Sequence, residues 1–285
     1  MNYFKKITKN HTFFIAEIGI NHNGNLKHAL KLIEAAKLAG CDAVKFQKRT
    51  PEICVPKDQW NIIKDTPWGM LKYIDYKKKI EFGKKEYNEI DKFCKKNEIL
   101  WSASCWDIES VKFIEKYKIK FLKIASACIT DKLLLKEIKK TKKPVIISTG
   151  MSTEKEIQSA INILSQKNLA VLHCNSSYPA LNKELNLRYI TRLTKKYKNS
   201  IIGYSGHEMN LTSSVAAVVL GAKIVERHIT LDKSQWGTDQ KASIEPLGFA
   251  RLIKDVRTVE DSLGRPIKRI YSEEKKIMKK LRNYS

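Results

Sequence analysis

The chain has 285 residues, long enough to bury a large core as two small domains or as one α/β barrel. Hydrophobic residues make up 42% and charged residues 29%, and no apolar run approaches the ~20 residues of a membrane-spanning helix. The net charge of +24, from 54 Lys+Arg against 30 Asp+Glu, would ordinarily raise nucleic-acid binding; here the lysines are spread over many amphipathic segments such as Lys77–Lys79, Lys139–Lys143 and Lys275–Lys280, with no nucleic-acid motif beside them, so solvated helix faces and a general attraction for anionic substrates are expected instead.

The N-terminus, MNYFKKITKNHTFF, has neither an apolar signal core nor a cleavage site, which leads to the expectation of a cytoplasmic protein. Six cysteines, at 41, 54, 94, 105, 128 and 174, show no CxxC pairing and suggest neither a zinc site nor a disulfide framework.

In chain order, Phe13–Gly19 reads as a buried strand interrupted by Glu17, followed by the polar loop Asn21–Gly24 and an amphipathic helix over Leu26–Ala39 that Gly40 ends. Further strands are expected near 42–47, 99–104, 121–126, 144–150, 169–175, 200–207 and 222–230, with helices near 108–117, 131–140, 153–166, 211–221 and 247–263. Counted as alternating units, the pattern is eight strands and eight helices in a single domain, which predicts a (β/α)8 TIM barrel. One irregularity is the long connection 48–83, rich in Trp, Tyr and Pro: either a substrate lid, touching substrate through its middle, or a surface excursion packed by its own aromatics.

A barrel of this kind carries its chemistry at the C-terminal strand ends. Polar residues recur there on every strand: Glu17, Lys45 with Gln47, Ser104, Lys123 with Ser126, Ser148 with Thr149, Asn175 with Ser176, Ser205 with His207, and His228. Barrel interiors contain some polar layers in any case. Two inward lysines are harder to dismiss, because a buried ammonium is costly unless an anion meets it, so Lys45 and Lys123 with the neighbouring hydroxyls are expected to receive phosphate and carboxylate together. Glu17 either acts on substrate or pairs with Lys45.

The last two strands carry the second signal. The runs ending at His207 and His228 flank the helical segment Leu211–Gly221, and a right-handed crossover makes the strands parallel neighbours, which brings both imidazoles to one sheet edge. A lone histidine is more often a hydrogen-bonded core residue. Two in equivalent positions, followed by Asp232 and Asp239, point to a divalent metal.

The ordered set AEIGINHNG, VKFQ, KIAS, STGM, HCNSSYP, GYSGH and ERHITLD resembles the sialic acid synthases, the N-acetylneuraminate synthase family, over residues 13 to 270; synthases of pseudaminic and legionaminic acids share most of these signatures. The resemblance implies a metal-dependent condensation of phosphoenolpyruvate with an N-acetylated amino-sugar aldehyde, N-acetylmannosamine or a relative, to give a nine-carbon keto acid and phosphate. It assigns His207 and His228 to the metal, commonly Mn2+ with Mg2+ or Co2+ as alternatives. It assigns Lys45, Lys123, Ser104, Ser126, Ser148, Ser176 and Ser205 to phosphoenolpyruvate, and Glu17, Gln47, Tyr178 and Asp239 to the sugar side or to proton transfer. A homodimer is compatible with it.

Three departures stand beside the match. Cys128 occupies a place where the family commonly has an acid, and Gly206 the place of a frequent aspartate. The sequence stops at Ser285, so the small antifreeze-like domain that typically follows the family's barrel, and the arginine it supplies to the sugar's N-acetyl group, are expected to be missing. A phosphorylated sugar as acceptor would need one more cationic site, and the extra arginine near a motif is Arg227, expected to turn outward; a barrel scaffold of low activity is the remaining alternative.

Overall fold

The alternation in the sequence is realised as a closed barrel of eight parallel strands; the computed structural model describes residues 2–282. The strands are β1 Phe13–Gly19, β2 Ala43–Lys48, β3 Leu100–Cys105, β4 Leu122–Ile124, β5 Val145–Ser148, β6 Leu169–Cys174, β7 Ile201–Gly206 and β8 Ile224–His228. Each pairs with its neighbours in sequence, and β8 returns to β1, with Glu17 opposite His228, to close the ring. Parallel neighbours require a crossover, and the helices Leu26–Leu38, Lys84–Lys96, Ile108–Glu115, Lys132–Lys140, Glu154–Leu164, Tyr189–Lys196, Thr212–Val219 and Pro246–Leu263 supply them. Lys84–Lys96 and Tyr189–Lys196 complete the expected set, although their lysine-rich sequences gave no clear boundary signal.

Short-range chemistry fixes where several of these helices begin. The side chains of Asn25, Asp107, Asp131 and Thr153 each accept backbone N–H groups of the first turn, and Glu156 bonds back to Thr153 to complete a capping box.

Strand alternation then splits the core into two. Outward residues such as Phe14, Val44, Phe46, Val171 and Val225 pack under the helices. Inward residues Ile15, Ala43, Ile146, Leu172 and Ile224 fill one end of the barrel with Phe13 and Phe121. Phe4, from a short helix Tyr3–Ile7 that the sequence did not announce, packs edge-on against Phe121 with ring centroids 6.2 Å apart and closes that end. With the N-terminal end filled by hydrocarbon, the inward polar residues gather at the C-terminal ends of the strands.

The irregular connection after β2 holds a short helix Pro51–Cys54, a hairpin of Ile63–Lys64 with Leu71–Lys72, and the helix Tyr73–Ile80. Ile20, Tyr76 and Ile80 form a satellite cluster with Trp68, Tyr73 and Trp236, which clamps the insert onto the loops after β1 and β8. Among the described residues no helix is long and apolar enough to cross a membrane.

Candidate active site

Register places four charged side chains on the inner wall, Glu226, Glu17 and Lys45 on consecutive strands and Lys123 two strands beyond Lys45: Glu17 lies opposite both His228 and Lys45, Ser104 opposite Lys123, and Glu226 opposite Ser205. Their side chains touch. Lys45 Nζ contacts Glu17 Oε2, lies 2.7 Å from Ser104 Oγ and 3.9 Å from Glu226 Oε2. Lys123 Nζ lies 2.8 Å from Glu226 Oε1, which also accepts from Ser205 Oγ at 3.1 Å. All four charged groups are buried. The two lysines are therefore not free ammonium groups awaiting an anion, as expected from sequence. In the protein by itself each is matched by a carboxylate, which is what an apolar barrel demands.

Burial pushes Lys45 down to about 7, and the nearby Glu226 only partly offsets it. Burial likewise acts to raise Glu226, but the attraction of Lys123 and Lys45 outweighs it and holds this carboxyl well below its ordinary value. One member of the cluster thus stays anionic while Lys45 is poised to exchange a proton near neutrality.

The histidines converge as the strand arrangement requires, their ring centroids 5.5 Å apart. His207 Nδ1 is 2.7 Å from the carbonyl oxygen of Asn175; a carbonyl only accepts, so Nδ1 carries a proton, and although burial acts to lower this ring, Cys174, that carbonyl and Glu226 hold it above its usual range, so Nε2 offers a lone pair once the ring is neutral. His228 is held well below its usual range by burial, with His207 and Lys45 adding to the effect, so it is a neutral imidazole. Its buried Nδ1 has no hydrogen-bond partner among the described residues and lies 3.8 Å from Asp239 Oδ2. Two imidazoles with available lone pairs form a donor set that fits a divalent transition metal. No group of three or more His, Cys, Asp and Glu side chains gathers as a metal cluster among the described residues. Gly19, at φ +55°, preserves the space: a Cβ there would come within 3.3 Å of Glu17, His228 and Gln47 at once.

A cavity of about 280 Å³ unites these groups. Of the residues expected from sequence, it is lined by Glu17, Lys45, Gln47, Ser104, Lys123, Ser126, Ser148, Ser176, Tyr178, Ser205, His207 and His228. Ser148 Oγ and Glu226 Oε2 are buried on its wall without hydrogen-bond partners, marking where a polar ligand is wanted. Tyr178 covers the histidines from the loop after β6, its ring centroid 4.0 Å from that of His207.

Several expectations are corrected. Asn175 turns its side chain out of the cavity, donating to Glu184 O at 3.1 Å and accepting from Ser177 N, because its backbone carbonyl is what faces His207. Asp239 stands beside His228 but is not part of the cavity wall, and Asp232 is an exposed turn residue bonded to Ser234. Arg227 does leave the barrel interior, yet it is fully buried, with Nη1 2.8 Å from both Glu208 Oε1 and Ser214 Oγ. That pair also accounts for Gly206, since a Cβ there would lie 2.6 Å from both Glu208 Oε2 and the Tyr204 ring. Cys128 belongs to the apolar core and not to the cavity; burial, aided by Asp131, pushes its thiol up to about 12, so it is a neutral packing group. Trp68, in the middle of the insert, lies in the satellite cluster, and no residue of 51–83 lines the central cavity.

Sequence reasoning missed Glu226, Trp106 and Cys174 as cavity residues. Glu226 was legible in principle, because it sits two residues before His228 and strand alternation puts both on the same face.

A model described as the NeuB family matches residues 32–268. The N-acetylneuraminate-9-phosphate synthase of Homo sapiens is 38% identical over 263 residues, 90% of this chain and 73% of that protein. The N,N'-diacetyllegionaminic acid synthase of Campylobacter jejuni is 36% identical over 276 residues, covering 93% of this chain and 81% of the relative. Among solved structures, the N-acetylneuraminic acid (sialic acid) synthetase of Leptospira borgpetersenii in complex with citrate superposes with a TM-score of 0.85 at 32% identity, over 95% of this chain and 91% of that one.

Proposed function

The chain belongs to the NeuB family, and on that premise we propose that it condenses phosphoenolpyruvate with the aldehyde of an N-acetylated amino sugar to give a nonulosonic acid and inorganic phosphate. The observation that carries the reading is the pairing of two buried lysines and five serine hydroxyls with two histidines around one cavity.

Phosphoenolpyruvate presents a carboxylate and a phosphate on a three-carbon frame. Lys45 and Lys123 meet its charge, and Ser104, Ser126, Ser148, Ser176 and Ser205 orient it through hydroxyls that have donor and acceptor capacity to spare. Glu226 remains ionised and fixes the direction of Lys123. Gln47, Tyr178 and Glu17 border the space left for the sugar, with Asp239 beyond His228. Holding both carbon centres in one pocket would convert a bimolecular encounter into a near-attack arrangement.

A divalent ion held by His207 and His228, manganese foremost with magnesium or cobalt as substitutes, would supply Lewis acidity at the aldehyde oxygen. As carbon 3 of the enol bonds to the aldehyde carbon, that oxygen takes up a proton, and water adds at carbon 2 while phosphate departs. The Lys45–Glu17 contact is the proton reservoir nearest this chemistry, because Lys45 is held near neutrality by burial.

The test is phosphate release from phosphoenolpyruvate across N-acetylmannosamine, its 6-deoxy diacetamido relatives and phosphorylated amino sugars, with manganese present. Acceptor-dependent release supports the reading. No release with any of them overturns it.

A further inference from the structure

His207 and His228 each have one member of a buried ion pair as an immediate chain neighbour: Glu208 follows the first and Arg227 precedes the second. The guanidinium and the carboxylate meet at 2.8 Å, and neither side chain is exposed. Strand alternation turns Arg227 away from the face that carries Glu226 and His228, so the pair lies behind the barrel wall, against Ser214 of the helix Thr212–Val219, and the imidazoles lie in front of it. Neither residue lines the central cavity.

Backbone pairing does not by itself fix how the two rings stand. His228 is held on β8 opposite Glu17 of β1. The ladder between β7 and β8, however, ends with Gly206 opposite Arg227, one residue short of both histidines, and His207 lies past the end of β7. Arg227 spans that gap. Its Nη2 donates to the carbonyl oxygen of Glu208, and its Nη1 donates to the carbonyl oxygen of Asn210 at 3.1 Å. One side chain rooted beside His228 thus grips the backbone that leads out of His207. The Tyr204 hydroxyl donates to Glu208 Oε2 at 2.8 Å and holds the carboxylate from β7 itself, and Ser214 Oγ accepts from Nη1 at 2.8 Å.

An ion pair of this kind is a poor way to hold two strands together. Desolvating both charges offsets much of their attraction, and well-packed apolar side chains of similar volume serve stability as well or better. What the planar fork adds is direction, several hydrogen bonds at fixed angles to one loop. Groups behind a metal's ligands set the orientation of those ligands and with it the affinity. Resting on the divalent ion proposed above, we propose that Arg227 and Glu208 are positioning residues: together they fix the spacing of His207 and His228, and so set the affinity for the ion without touching it.

The experiment measures manganese binding to the full chain freed of metal, in the absence of both substrates, from the electron paramagnetic resonance signal of the unbound ion. It compares wild type, the double variant Glu208→Leu with Arg227→Met, and Arg227→Lys, each checked for folding by thermal melting. The double variant exchanges both charges for hydrocarbon, so a purely structural pair predicts an unchanged Kd. Positioning predicts a Kd raised about 10–100-fold. Arg227→Lys, which keeps a charge opposite Glu208 but not the fork, should fall between the two. Leu134→Ala, a core truncation in the helix after β4 on the opposite side of the barrel, should lower Tm and leave Kd within about twofold of wild type. A Kd within about twofold of wild type in the folded double variant overturns the proposal, as does an equal rise in Leu134→Ala. If the double variant does not fold, Arg227→Lys decides by the same criterion. A wild type that binds no manganese overturns the metal reading and the positioning role with it, whereas binding that the variants retain unchanged leaves the metal in place and removes the positioning role alone.

Discussion

Glu226→Gln is the perturbation that separates a built anion site from an incidental ion pair. The substitution keeps the volume and the bond to Ser205 but leaves Lys123 Nζ, now 2.8 Å from a carboxylate, facing an amide inside the barrel. Removing one partner of a buried pair costs about 3–5 kcal/mol. The lower figure applies here, because Lys45 retains Glu17 and Ser104 and the amide still accepts a hydrogen bond. A loss of about 3 kcal/mol corresponds to a fall in Tm of about 6–12 °C for a chain of this size class. Phosphoenolpyruvate becomes the sole negative partner available to Lys123, so the thermal shift it produces should be larger in the variant than in wild type, while kcat falls because the lysine is no longer aimed. Differential scanning calorimetry with and without phosphoenolpyruvate reads both quantities. A Tm within about 1 °C of wild type, or a smaller ligand-induced shift in the variant, would refute the assignment of Glu226 as the fixed counter-charge.

Three further outcomes are expected. Manganese at about 100-fold its dissociation constant should stabilise the fold by about 2.7 kcal/mol, and His228→Ala should abolish the shift; an equal shift in the variant removes His228 from the donor set. Because Lys45 titrates at about 7 in the free protein and only its protonated form attracts phosphoenolpyruvate, kcat/KM for phosphoenolpyruvate should be highest below that pH and decline above it. Lys45→Arg, charged throughout, should lack that alkaline limb, and a profile flat from pH 6 to 9 in wild type would contradict it. Cys128→Ala should lower stability by about 1 kcal/mol and leave kcat and both KM values as they are; a tenfold drop in kcat would bring the thiol into the chemistry after all.

What the sequence made legible follows from periodicity. Polar residues at strand ends after apolar runs mark Glu17, Lys45, Lys123, His207 and His228, and parallel βα order brings them to one end of a barrel. What it concealed depends on rotation about side-chain bonds and on partners distant in sequence. Asn175 lies on the right loop, but its carbonyl and not its amide faces the histidine. Arg227 and Glu208 satisfy each other under a helix, a pairing with no local signature. The insert was recognisable as irregular, yet only its fold shows that Trp68 packs while Arg49 and Lys77, 28 positions apart, face one chamber.

Charge balance links the pieces. Two ammonium groups sharing an apolar barrel repel by several kcal/mol at the effective dielectric of a protein interior, so the free protein supplies Glu17 and Glu226 and the inner cluster is close to neutral. Phosphoenolpyruvate adds about three negative charges to that neutral cluster, which the lysines alone cannot absorb because their charge is already matched. Positive charge must come from elsewhere in the pocket, and on the reading proposed here His207 and His228 would hold it as a divalent ion. A proton taken up by the Lys45–Glu17 contact offsets part of the rest, which ties substrate affinity to pH near neutrality. The overall +24 of the chain draws anions toward the barrel mouth over a Debye length, while the local charge balance of this cluster sets how an anion is received there.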